Sequence, residues 1–126
     1  TSGVQTGRPP VLDAGEVLDL QRRVSRVRVD EGIVDYMLAV VEKTRRHEAL
    51  SLGVSPRGAQ ALYRATQALA LAEGRDYAIP DDAKRLAVPV FAHRVVINTR
   101  VALAQRASDL GDRILEEILA GIEVPL

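Results

Sequence analysis

The chain has 126 residues, room for one compact domain but not two, and 47% of them are apolar, enough to build a core. Aromatic residues make up only 3%, so that core must be aliphatic. Lysine plus arginine and aspartate plus glutamate both number 17, and this balance argues against a general nucleic-acid or anionic-membrane binder without excluding a local basic site.

Cysteine is absent, which removes disulfides, thiol nucleophiles and thiolate metal sites. No apolar run approaches the roughly 18 residues of a membrane span, and the polar N-terminus has no apolar h-region of a signal peptide. A cysteine-free chain without these address signals is expected in the cytoplasm. Beginning at Thr1 rather than methionine, it reads as a fragment or a processed product.

In chain order, Thr1 to Pro10 (TSGVQTGRPP) is polar and ends in a proline pair, a linker or frayed end. Asp13 is a plausible N-cap for a first helix, with Val17, Leu20, Val24 and Val27 forming a narrow apolar stripe. Asp30 caps a second helix with Glu31 in its first turn; Ile33, Tyr36, Met37, Val40, Val41 and Thr44 supply its buried face. Lys43, Arg45, Arg46 and His47 close it with cations suited to a C-terminal dipole. Just before it, Val27-Arg28-Val29 alternates like a very short strand, for which Ala78-Ile79 is the obvious partner.

Ser55 then caps a third helix, with Pro56 at the first helical position, which its fixed φ favours. Ala59, Leu62, Ala65 or Thr66, and Leu69 make a small-residue inner face, and Gly74 stops the helix. A fourth helix starts around Pro80 with Asp81 and Asp82 in its first turn; Ala83, Leu86, Ala87, Val90 and Phe91 face inward, and Pro89 falls inside it. After His93-Arg94, VVINTRVALAQRA is ambiguous. A last helix near Ser108 to Ala120 carries Leu110, Ile114, Leu115, Ile118 and Leu119. There is no internal repeat, and the expected fold is an all-α bundle with at most a minimal two-stranded pairing.

Catalytic chemistry is hard to assemble from these residues. No G-x-x-x-x-G-K-[ST] loop is present, and His47-Glu48 lacks the second histidine of H-E-x-x-H. Asp81-Asp82 reads as dipole-complementing rather than metal-ligating. Capping accounts for Ser55, and His93 reads as a half-buried packing or hydrogen-bonding residue. The basic cluster Lys43-Thr44-Arg45-Arg46-His47 is either a phosphate-binding patch or a solvated helix end. Arg57 stands apart. It sits in the first turn of the third helix, where the dipole disfavours a cation unless an anion meets it. Serine cap, proline and arginine in succession give its guanidinium a rigid base, so little orienting entropy remains to be lost on meeting a phosphate.

LGVSPRGAQALYRATQALALAEGRDYAIPDDAKRLAVPVFAHR, with VDEGIVDYMLAVVEKTRRH upstream, resembles the C-terminal lid of MoxR-type AAA+ ATPases. The shared order is a Y-x-L…TR helix, the LG-x-SPR helix start, ALA-x-GRDY, PDDA and HR. The match runs from about Val11 to Arg94 and is less clear over Val95 to Leu126. Gly58 stands where that family commonly has alanine.

The resemblance implies an all-α lid over residues 12–126, joined through a linker, residues 1–11, to a nucleotide-binding core. In such a lid the arginine of SPR is the sensor 2 residue facing the γ-phosphate of ATP. That role, catalytic and nucleotide-binding, falls on Arg57, with Ser55 and Pro56 beside it. ATP and Mg2+ would be used by the whole protein, and neither is expected on this chain alone. The core would bring the P-loop lysine, the Mg2+-coordinating acids and the arginine finger. Its partners would be that core, a homo-oligomeric hexameric ring and protein clients of a chaperone-like remodelling ATPase, with no nucleic acid and no membrane span. Two other readings stand beside it: a free-standing helical protein-interaction adaptor, and, more weakly, a helix-turn-helix DNA reader using Arg57 and Arg64, against which zero net charge counts.

Overall fold

Each of the first four helices begins at a residue whose backbone or side chain suits a helix start. The computed structural model describes residues 13–98 and 107–125. In order these form α1 (Ala14–Ser25), α2 (Glu31–Arg46), β1 (Leu50–Leu52), α3 (Pro56–Ala72), α4 (Pro80–Phe91), β2 (Val96–Ile97) and α5 (Ala107–Ala120). The linker expected over 1–11 lies outside the described residues, as does much of the ambiguous stretch, 99–106, whose opening forms β2.

The caps are local and visible in sequence. At α1 the Asp13 carboxylate accepts from the Glu16 N–H at 2.8 Å while Glu16 accepts from the Asp13 N–H at 3.3 Å, a reciprocal capping box. Asp30 accepts from the Gly32 N–H at 3.1 Å to start α2. At the far end of α3, Gly74 takes φ +80°. Its N–H bonds the Leu71 carbonyl at 2.9 Å and the Arg75 N–H reaches back to the Ala70 carbonyl at 2.9 Å, the Schellman arrangement that a left-handed glycine permits. Pro89 lies inside α4 without ending it.

The core is aliphatic, as the composition requires. Val40, Val54, Leu62, Ala83 and Phe91 are fully enclosed, with Leu115 nearly so. α3 packs most extensively on α4, while α2 and α5 close the other sides. All six residues expected on the inner face of α2 are buried, and so are the five named for α5. The Tyr36 hydroxyl is sealed in this core with no hydrogen-bond partner among the described residues, and burial pushes its ionisation upward.

Three expectations need correction. The inner face of α3 runs through Gly58, Leu62, Thr66 and Ala70, with Gln67 beside it, rather than through Ala59 and Leu69, which are only half-buried. The reason is Gly58: a residue without a side chain lets the helix approach its neighbours along that line. α1 contributes no buried residue, and Val17, Leu18 and Leu20 are exposed. Its end is held instead by the Gln67 amide, which donates to the Val27 carbonyl at 2.9 Å. The strand pairing also moves. Residues 27–29 form only a single parallel bridge, Arg28 to Tyr77, through the Arg28 N–H to Asp76 and the Ala78 N–H to the Arg28 carbonyl. The two-stranded pair is β1 with β2, antiparallel, with Leu50 opposite Ile97 and Leu52 opposite Val96.

Candidate functional site

The start of α3 is fastened to the end of α2 by consecutive residues. Thr44 is fully enclosed; its hydroxyl donates to the Val41 carbonyl at 2.6 Å and accepts from the Val54 N–H at 3.0 Å. Arg45 Nε donates to the Val54 carbonyl at 3.0 Å. Both backbone groups of Val54 are therefore held by the last turns of α2, and its side chain is buried beneath them. Gly53 makes this contact possible: a Cβ there would stand 2.7 Å from the Arg45 nitrogen and the Thr44 carbonyl carbon, main-chain atoms that cannot yield cheaply.

From this anchor the chain enters α3 without slack. The Ser55 hydroxyl accepts from the Gly58 N–H at 3.3 Å, the Ser55 carbonyl accepts from the Ala59 N–H at 3.1 Å, and Pro56 fixes the first helical φ. Arg57 follows, exposed, with no hydrogen bond or ion pair among the described residues. Gly58 is buried, and a Cβ on it would lie 2.6 Å from Val54 Cγ1 and 3.2 Å from Arg94 Cδ. Where a helix-weakening departure from alanine was expected, the structure places a close approach: this glycine lets the Val54 anchor and the stem of Arg94 lie against the first turn.

Beside this turn an open groove of about 660 Å³ is lined by Arg45, Ser51, Gly53, Ser55, His93 and Arg94 among others, with no aspartate or glutamate in its wall. The remaining grooves described on the molecule either carry carboxylates or, in the groove between α1 and α3, a single arginine, Arg64. In a chain of zero net charge, one acid-free groove with two arginines and a histidine is a local concentration of positive charge. His93 is exposed on it, not the half-buried packing residue its apolar neighbours suggested.

The basic cluster at the end of α2 resolves into separate roles. Arg46 pairs with Glu42 one turn back at 2.8 Å. His47 accepts the Ala49 N–H on Nδ1 at 3.1 Å, which leaves Nε2 to donate to Glu117 on α5 at 3.1 Å. Only Arg45 turns to the groove.

The first-turn acids of α4 also part company. Asp81 is exposed, whereas Asp82 is fully enclosed and receives both arms of Arg75, at 2.8 Å each, plus the Ile79 N–H at 2.8 Å. Burial alone would raise the Asp82 pKa, but the bonds from Arg75 and Ile79, with the nearby charges of Arg75 and Arg85, outweigh it and hold the carboxyl below its ordinary range. The pair locks the α3–α4 turn and offers nothing to a ligand. No group of three metal-binding side chains occurs among the described residues.

These features define a helical module that presents cations at one edge and lacks, among the described residues, a catalytic constellation of its own. Residues 42–118 match the AAA lid domain family, and the match runs past Arg94 into α5. The chain belongs to that family, as a lid of the MoxR type. It is 40% identical over 117 residues to the YeaC protein of Bacillus subtilis, covering 93% of this chain and 36% of that one. To the chaperone MoxR1 of Mycobacterium tuberculosis it is 33% identical, covering 91% of this chain and 32% of the relative. A crystal structure of a Cytophaga hutchinsonii protein described as a candidate ATPase superposes with a TM-score of 0.80 at 25% identity, over 89% of this chain and 36% of that one. The chain thus spans about a third of the length of these relatives. No helix among the described residues is long and apolar enough to cross a membrane.

Proposed function

We propose that this chain serves as the sensor 2 lid of a MoxR-type AAA+ ATPase, with residues 1–11 as the link to its core and 12–126 as the lid. Arg57 reaches the γ-phosphate of ATP bound at the core–lid junction. Ser55 and Pro56 hold the helix start that aims it. The observation that supports this most is an unpaired first-turn arginine on a fully anchored helix start, flanked by a groove without carboxylates. Such a site suits an anion, because the helix dipole and the guanidinium both favour one there. The core would supply the P-loop lysine, Mg2+ and its acidic ligands, and the chain's own part is to position one cation and to move as a unit with the nucleotide state.

On this reading the parent protein is a cytoplasmic, hexameric, chaperone-like remodelling enzyme that acts on protein clients. Arg57→Ala in the full-length protein should slow ATP hydrolysis about 10²–10³-fold, as loss of one preorganised charge-stabilising donor does. Unchanged hydrolysis together with unchanged nucleotide affinity would sink the assignment. A gene with no Walker A and Walker B core ahead of Thr1 would favour the free-standing adaptor instead.

A further inference from the structure

Arg94 is set beside the first turn of α3 by a vacancy in the sequence. Its Cδ lies 3.2 Å from where a Cβ on Gly58 would sit, so its stem crosses the turn that carries Arg57. Its backbone is fixed just after α4, where the Arg94 N–H bonds the carbonyl of the fully enclosed Phe91 at 2.8 Å. Like Arg57, Arg94 pairs with no carboxylate among the described residues, although Arg46, Arg75 and Arg85 all do. Arg45 differs, because its Nε is committed to the Val54 carbonyl. Arg94 thus brings a second guanidinium without a carboxylate partner to the turn that carries Arg57, and a ligand with several negative charges can meet both.

We propose that Arg94 is a second lid arginine on the phosphates of the nucleotide, acting next to Arg57 and placed there by Gly58. This rests on the reading of the Arg57 edge as facing ATP. A polyphosphate fits better than a protein carboxylate. The groove gathers Arg45, His93 and Arg94 with no acid in its wall, more positive charge than a single carboxylate balances.

The test uses the full-length ATPase and equilibrium binding of ATPγS at low and moderate salt, with ATP hydrolysis and ring assembly measured in parallel. Arg94→Ala should weaken ATPγS binding about tenfold and flatten its salt dependence, with the unfolding midpoint kept. Arg94→Lys should recover part of the affinity, because the charge remains. Gly58→Ala should move affinity in the same direction as Arg94→Ala, and add little to it in the double variant. Unchanged affinity and salt dependence in Arg94→Ala overturn the proposal, including the case where only ring assembly suffers, which would assign Arg94 to an acidic protein surface. If Arg57→Ala abolishes hydrolysis in that same experiment, the lid reading survives and only the Arg94 role falls. If Arg94→Ala weakens binding while Arg57→Ala changes nothing, Arg94 stands and the sensor reading falls.

Discussion

Asp82 shows how much one side chain can decide beyond its place in a sequence pattern. Its carboxylate is fully enclosed, doubly bonded to Arg75 and capped by the Ile79 N–H. Removing one member of a buried pair leaves the other unpaired, so Asp82→Ala should cost about 3–5 kcal/mol in urea unfolding. Its folded pKa is depressed below the ordinary 3.8. The contribution is therefore complete above that ordinary value and is lost as pH falls through the lower, folded one. Acid titration of stability should show this loss in the parent chain and lack it in Asp82→Ala. Sequence alone could not separate Asp82 from Asp81, because both suit a helix N-terminus. What distinguishes them is Arg75, seven residues back, turned toward Asp82 by the glycine-dependent end of α3.

At the level of elements, helix starts and stops were legible because caps, proline and glycine act within a few residues. Asp13, Asp30, Ser55, Pro80 and Gly74 mark boundaries that the structure keeps. Which face of α3 turns inward was not legible, since Gly58 reads as a helix weakener until Val54 and Arg94 are seen against it. The β1–β2 pair was equally hidden, being short and joined across the whole of α3 and α4. Of the candidate site, the rigid arginine at the start of α3 could be read directly; the groove could not, because Arg45 and Arg94 come from two other helices' ends. The clamp on Val54 is testable by itself. Thr44→Val removes the acceptor for a buried N–H and should cost about 1–3 kcal/mol, with the Val54 amide exchanging with solvent markedly faster than in the parent. Equal exchange rates would show that Thr44 does not hold the loop.

The molecule as a whole is unevenly stabilised. α2, α3, α4 and α5 share the aliphatic core, while α1 buries nothing and shows Val17, Leu18 and Leu20 to solvent. An element without buried side chains opens locally at low free energy. In hydrogen exchange of this chain, amides of α1 should exchange first and with little denaturant dependence, and those of α2 to α4 only through global opening. Uniform protection across all helices would contradict this. The apolar stripe read from the sequence meets this core only at its end, where Val24 is half-buried and Val27, just past the helix, is buried, while Val17 and Leu20 remain exposed.

The junction between α2 and α3 has one more property, which concerns counting. Val54 is pinned by Thr44 and Arg45, and the helix begins two residues later at Pro56. The distance from pin to helix has no spare residue, so the bearing of residue 57 about the α3 axis is fixed by the length of this link together with the buried face of α3. Each residue advances a helix by about 100°. A single insertion between Val54 and Ser55 would therefore set the pin against the core: a swing of Arg57 by that angle would also turn Leu62 and Thr66 away from their buried places, and the loop would have to bulge instead. In this loop, length carries as much information as composition.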